Sequence, residues 1–277
     1  MTAARIMELN RSLLSERDKE ILHALLKCRY LTSGQIRRLY FTECKSQIAA
    51  TRTTNLNLLR LQNYGVIASL GRRIGGVRAG SGALVRVLTE VGYLILHLNS
   101  DGKIPRKRFF EPSRVYLEHT LAVAESYVQI VEICKKRQLE HIRTDIEPSS
   151  WRRHIDEHGG VVHLKPDLFS VISNGEYEDS WFIEIDLDTA SYTAISEKCR
   201  RYARYYRSGL EQVSTGVFPQ VVWIVPNLAR KEGLERIISN CRDLQPKNMF
   251  KVITSPEFET LLVNGVEPED KGESSHE

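Results

Sequence analysis

Residues 181–188 read WFIEIDLD, an apolar run with the length of a buried strand that nevertheless carries three carboxylates. In an extended chain side chains alternate between two faces, so Glu184, Asp186 and Asp188 point one way with Phe182. Ile183, Ile185 and Leu187 point the other way. A carboxylate buried without a partner is strongly unfavourable. A strand of this composition therefore demands a metal ion, a basic side chain or water against its acidic face.

The strand has a candidate neighbour. HLKPDLFSVIS is followed by the turn-forming stretch NGEYED and then by SWFIEIDLDT, which predicts an antiparallel hairpin centred near residue 176 or 177. In that register Asp167 lies beside Asp186 and Phe169 beside Glu184, with opposed Cβ atoms about 5 Å apart. Asp167, Glu184 and Asp186 then converge, an outcome that depends on register because a slip of one residue would separate them. Clustered carboxylates repel one another, and Mg²⁺ or Mn²⁺ relieves the repulsion by taking their oxygens as ligands. The three are the metal-ligand candidates, and the matching chemistry is metal-assisted hydrolysis of a phosphodiester.

The surrounding pattern supplies the rest of a domain. An amphipathic helix is expected over 113–137 and a weak strand near 141–147. After the hairpin come a helix over 193–209, the apolar strand QVVWIVP, a helix near 230–241 and the strand MFKVITS. The order α-β-β-β-α-β, with a further helix and strand, implies a mixed sheet flanked by helices.

The N-terminal part has a different character. Residues 1–110 hold 19 Lys and Arg against seven Asp and Glu, whereas the remainder holds 20 against 28. A polycationic half beside an acidic one suggests separate jobs, and phosphate neutralisation makes double-stranded DNA the natural partner of the first. Ser15 with Asp18 and Thr32 with Gln35 mark two helix starts, followed by inward-facing Ile21, Leu22, Leu25 and Leu26, then Ile36, Leu39 and Tyr40. A third helix is expected from Ser46 to about Asn63, with Leu56, Leu59 and Ile48 packing on the first two. Three short helices match a helix-turn-helix, whose third helix enters the major groove. Its outward residues would be Lys45, Thr51, Arg52 and Asn55, types suited to base edges and phosphates. Between Gly71 and Gly82 stand five glycines and three arginines, Arg72, Arg73 and Arg78, in a hairpin loop suited to the wing of a winged helix. The loop matches neither GxGxxG nor GxxxxGK[ST].

With Pro166-Asp167 on one strand and Glu184-x-Asp186 on the next, the C-terminal half is similar to the PD-(D/E)xK nuclease superfamily. More narrowly, the chain resembles the replication-relaxation family of plasmids and other bacterial mobile elements. The resemblance lies in the winged helix, KPDLF, FIEIDLDT and EKCRRYARY with Lys198 and Tyr205. It implies an α/β (α+β) fold, with an N-terminal winged helix-turn-helix followed by a restriction-endonuclease-like αβββαβ domain. It also implies DNA binding connected with replication, mobilisation or transfer of mobile DNA, beside relaxosome or replication proteins. Pseudo-palindromic recognition would call for a homodimer. The chain departs from the nuclease pattern at the third motif position, where Asp186 replaces lysine. Lys198 from the next helix or Lys165 could replace that cation, and Glu125 or Glu118 could add a carboxylate. The catalytic candidates are thus Asp167, Glu184, Asp186 and Lys198. The first reading is a DNA-binding accessory protein of plasmid or mobile-element replication or mobilisation, with or without Mg²⁺-dependent nicking, and the alternative is a transcriptional regulator whose inactive C-terminal domain serves dimerisation or ligand sensing.

Other chemistries are poorly supported. His154, His158 and His163 flank a Gly-Gly turn with no cysteine nearby, a weak zinc pattern, and the segment contains no His-x-His pair of the relaxase type. Tyr202, Tyr205 and Tyr206 at helical spacing suit packing better than nucleophilic attack. The five scattered cysteines, without a CxxC pair, fit reduced thiols in a cytoplasm, and the charged N-terminus makes a poor signal peptide. No stretch approaches the ~20 apolar residues of a membrane span. The expected organisation is a DNA-binding domain over 1–103, a basic linker over 104–112, the nuclease-like domain over 113–265 and a polar tail over 266–277.

Overall fold

The computed structural model describes residues 3–74, 83–98, 112–155 and 159–265, without the side chains of Ala3, Ala4, Arg72, Arg73, Ile74 and Ala83. It divides into two compact units, Met1–Glu132 and Ile133–Glu277.

The first unit opens with α1 (Ala3–Glu8), a short π-helical stretch and α2 (Glu16–Cys28). The strand β1 (Tyr30–Thr32) leads into α3 (Ser33–Tyr40), and α4 (Gln47–Asn63) follows. Both expected capping boxes are complete: Ser15 with Asp18 starts α2 and Thr32 with Gln35 starts α3, while Ser46 caps α4. Each cap satisfies amide N–H groups that have no acceptor within their helix. The strands β2 (Ile67–Ile74) and β3 (Ala83–Leu88) form an antiparallel hairpin, and β1 adds to β3 to give the order β1-β3-β2. The helix α5 (Glu90–Leu96) follows, and α6 (Arg114–Arg137) runs across the division between the units. The sequence places the start of the second domain at residue 113; Leu117 and Leu121 of α6 pack with Tyr30, Leu70, Val85 and Val87.

The face that α4 buries differs from the expected one. Ala50, Thr54, Leu58 and Leu61 are buried, whereas Ile48, Leu56 and Leu59 are 83%, 60% and 53% exposed. The cause is polar. Asn57 Nδ2 donates to Asp18 Oδ1 at 2.9 Å, and Arg60 Nη2 reaches both Asp18 oxygens at 2.7 and 2.6 Å. Asp18 is fully buried at the start of α2, so the face of α4 bearing Asn57 and Arg60 must turn toward it.

The second unit holds a five-stranded mixed sheet in the order β10-β9-β8-β7-β4. Its strands are β4 (Glu140–Ile146), β7 (Leu168–Ser173), β8 (Glu178–Ile185), β9 (Gln220–Val225) and β10 (Phe250–Thr254). β7 runs antiparallel to its neighbours β4 and β8, and β8, β9 and β10 are parallel. A separate hairpin, β5 (Arg152–Ile155) with β6 (Val161–Leu164), was read from sequence only as a turn. The helices are α7 (Tyr192–Ser208), α8 (Leu210–Thr215), α9 (Leu228–Asn240) and α10 (Phe258–Asn264). One sheet face, with Phe169, Phe182, Val221, Trp223 and Phe250, packs on Ile195, Cys199, Tyr202, Leu234 and Ile238 of α7 and α9. Leu168, Ile172, Ile183, Val222 and Ile224 on the other face are buried too, which accounts for the nearly unbroken apolar runs of the central strands.

Candidate functional site

The hairpin β7–β8 sets the site. Phe169 pairs with Phe182 and Leu168 with Ile183, a register two residues away from the expected one. A shift of two keeps every side chain on its face but moves it along the strand. Asp167 therefore comes level with Glu184 instead of Asp186, and its Oδ2 accepts from Ile185 N–H at 2.8 Å. Glu184 lies inside β8, opposite Trp223 of β9, with no exposed surface.

The helix α7 supplies the positive group. Lys198 Nζ donates to Glu184 Oε2, and Tyr202 Oη donates to Glu184 Oε1 at 2.5 Å. The two residues are one helical turn apart, so a single helix face meets both oxygens. The Lys198 ammonium also lies over the Trp223 ring at 5.8 Å, and 30% of its side chain stays exposed, so solvent reaches the site along it. Burial raises the Glu184 carboxyl to about 8; Asp167 beside it adds to the rise, and Lys198 and Tyr202 oppose it. Burial alone would lower the Lys198 ammonium, but the carboxylates of Glu184, Asp167 and Glu147 hold it above its ordinary value. The Tyr202 phenol is raised by burial and by Glu184. A carboxyl that titrates near neutrality beside a persistent ammonium can exchange a proton and stabilise developing negative charge.

Asp186 has a different partner. Its Oδ2 accepts from Arg230 Nε at 2.5 Å and its Oδ1 from Asp188 N–H at 3.1 Å. Arg230 also pairs with Asp188 at 3.1 Å, donates to the Ala190 carbonyl at 2.6 Å and stacks on the Tyr192 ring at 4.5 Å. The acidic stretch thus meets two cations: Lys198 at Glu184, and Arg230 at both Asp186 and Asp188. Of the three expected carboxylates, Asp186 is held in a buried ion pair with Arg230. Among the described residues no three His, Cys, Asp or Glu side chains are grouped to hold a metal ion. Asp167 and Glu184 remain a converging pair, with both Glu184 oxygens accepting from Lys198 and Tyr202.

Other candidates fall elsewhere. Lys165 lies over the Trp151 ring at 4.4 Å. Glu125 pairs with Arg38, and Glu118 with Arg114 at 2.7 Å. Tyr205 donates to Glu211 at 2.6 Å, and Arg201 faces Glu197. His154 packs beside the Tyr205 ring, and the β5–β6 register puts it on the opposite face from His163; His158 is outside the described residues. Arg230 went unnoticed in sequence. Asn227, which caps α9 by accepting from Arg230 N–H, was the available signal for its placement at the helix start.

In the first unit Lys45, Thr51, Arg52 and Asn55 are all exposed. Thr51, Arg52 and Asn55 form one surface of α4 with Gln47, Ile48, Leu56 and Leu59. Arg78 lies outside the described residues, as do the side chains of Arg72 and Arg73. No described helix is long and apolar enough to cross a membrane.

A family model described as replication-relaxation matches residues 22–221, more than two thirds of the chain. No curated protein matches. Among solved structures, the restriction endonuclease FokI bound to DNA aligns at 13% identity with a TM-score of 0.25, covering 95% of this chain and 46% of that one. The chain therefore spans less than half of that enzyme, and a TM-score so low does not establish a common fold.

Proposed function

The chain belongs to the replication-relaxation family, and from that premise we propose that it binds duplex DNA as an accessory protein of plasmid or mobile-element replication or mobilisation. The observation that carries this reading is α4. Its buried face is fixed by Asp18, leaving Thr51, Arg52 and Asn55 outward on a helix that follows α3. The order α2-β1-α3-α4-β2-β3 supports a winged-helix reading, in which α4 would enter the major groove and the arginine-rich β2–β3 hairpin would meet the backbone. Arg52 and Lys45 would contact phosphates or guanine edges, and Thr51 and Asn55 would read bases.

In the second unit, Asp167, Glu184 and Lys198 make an acid-acid-lysine set in which the lysine comes from the helix after the strand. This supports a nuclease-like site that nicks the bound DNA. Asp167 and Glu184 are the residues that would hold a divalent cation, which when bound would neutralise charge on the scissile phosphodiester. Lys198 places positive charge where the leaving oxygen becomes anionic, and Tyr202 orients the Glu184 carboxyl by its hydrogen bond. Asp186 and Arg230 brace the loop between β8 and α7, and so fix the start of the helix that carries Lys198.

Supercoiled DNA carrying the cognate site, incubated with Mg²⁺ or Mn²⁺, should be nicked by the wild type, and Lys198→Met should slow nicking by ~10²-fold or more. Arg52→Ala should weaken binding and leave any nicking chemistry at saturating protein intact. If DNA binds without nicking under either metal, the second unit is a non-catalytic scaffold, consistent with a regulator. If no duplex binds, the winged-helix reading fails.

A further inference from the structure

Arg86 lies in β3, on the sheet face opposite Val85 and Val87, and is only 5% exposed. Its Nε donates to Ser33 Oγ at 3.3 Å, and its Nη1 donates to Gln62 Oε1 at 2.7 Å and Ser69 Oγ at 2.6 Å. All three acceptors are neutral. Among the described residues no carboxylate pairs with Arg86, and no protein group accepts from Nη2. Other deeply placed cations are treated differently: Arg230 holds Asp186 and Asp188, Arg152 holds Glu211, and Lys198 holds Glu184. Burial without a counter-charge pushes the Arg86 guanidinium below its ordinary pKa.

Taking a cation out of water is costly unless an opposite charge meets it. Arg86 therefore has the character of half an ion pair whose other half comes from outside. Its surroundings suit an anion. The Ser69 hydroxyl donates to Gln62 Oε1 at 3.0 Å and the Ser33 hydroxyl to the Leu84 carbonyl at 3.5 Å, so Nη2 is the donor left for an anion, and Ser33 opens α3, where the first amide N–H groups face no intrahelical acceptor. Gln62 is exposed, so the cluster borders the surface at the end of α4. A planar guanidinium with a free Nη2 edge beside hydroxyl groups matches the oxygens of a phosphate.

We propose that Arg86, with Ser33, Gln62 and Ser69, forms an anion site that takes a phosphate group. The assignment of its source rests on the DNA-binding reading: the group is a phosphodiester of the duplex at the base of the β2–β3 hairpin, and free phosphate is the other source of the same chemistry.

The test uses the full chain and the variant Gln62→Glu, which supplies an internal carboxylate to Arg86 while keeping side-chain size. Melting is followed while inorganic phosphate is titrated at low millimolar concentration against chloride of equal ionic strength. Wild type should show a saturable rise of roughly 3–6 °C at tenfold excess over Kd. Gln62→Glu should melt higher in chloride and lose the phosphate response. In a second arm, duplex DNA binding is measured across salt concentrations, and Gln62→Glu should reduce the salt slope by about one phosphate contact. No saturable phosphate response in the wild type, or an undiminished response in Gln62→Glu, overturns the site. A response lost in Gln62→Glu together with a reduced salt slope supports the backbone source. A response lost in Gln62→Glu with unchanged or absent DNA binding supports the site for free phosphate and overturns the backbone assignment. In that last case absent binding is also the failure of the DNA-binding reading.

Discussion

Glu184 is the residue at which burial and charge act most strongly against each other. Its carboxyl, raised from 4.5 to about 8, binds a proton more tightly in the folded chain than in the unfolded one. The stability this difference contributes is fully present below pH 4.5 and is lost as pH rises toward 8. Lys198, raised from an already high value, stays protonated through that window, so its own contribution declines only in strongly alkaline solution. Denaturant unfolding between pH 4.5 and 8.5 should therefore show wild type losing stability relative to Glu184→Gln as pH rises. Parallel profiles for the two proteins would mean that Glu184 is ionised throughout. The need for a cation at this strand was legible from the alternation of Glu184, Asp186 and Asp188 with apolar residues. That the cations are Lys198 and Arg230, 14 and 46 residues from Glu184 in sequence, could not be read from the strand itself, since packing of α7 and α9 decides it.

Among the elements, α4 separates what local pattern can and cannot fix. Its start at Ser46 and its extent follow from capping and composition. Its rotation does not, because leucines at 56, 58, 59 and 61 support two helical faces, and the ion pair to Asp18 selects between them. Leu58→Ala should cost about 2–5 kcal/mol of stability, whereas Leu56→Ala should fall within about 0.5 kcal/mol of wild type. Comparable losses in urea melts would show that Leu56 is covered in solution. The hairpin β7–β8 teaches the same lesson at sheet scale. Alternation identified which residues share a face, but turn geometry set how far along the strand they meet, and a two-residue difference moved Asp167 from Asp186 to Glu184.

At the scale of the whole molecule, the first unit is completed by the start of α6. Leu117 and Leu121 cover the sheet face formed by Tyr30, Val85 and Val87. A fragment of residues 1–132 should melt cooperatively, and one of residues 1–103 should melt at a markedly lower temperature or lack a cooperative transition. Equal melting of the two would place the domain end before residue 104. The sequence by itself determined the division into a basic and an acidic half, the capped helices, the chain order of the five strands of the mixed sheet and the alternation that sets Glu184 on one face of β8. These depend on composition and on periods of two and 3.6 residues, which are local properties. Tertiary structure alone decided the partner of each buried charge: Lys198 for Glu184, Arg230 for Asp186, Arg60 for Asp18, and only neutral groups for Arg86. The physical reason is that desolvation fixes that a buried charge needs a partner, while long-range packing fixes which group arrives.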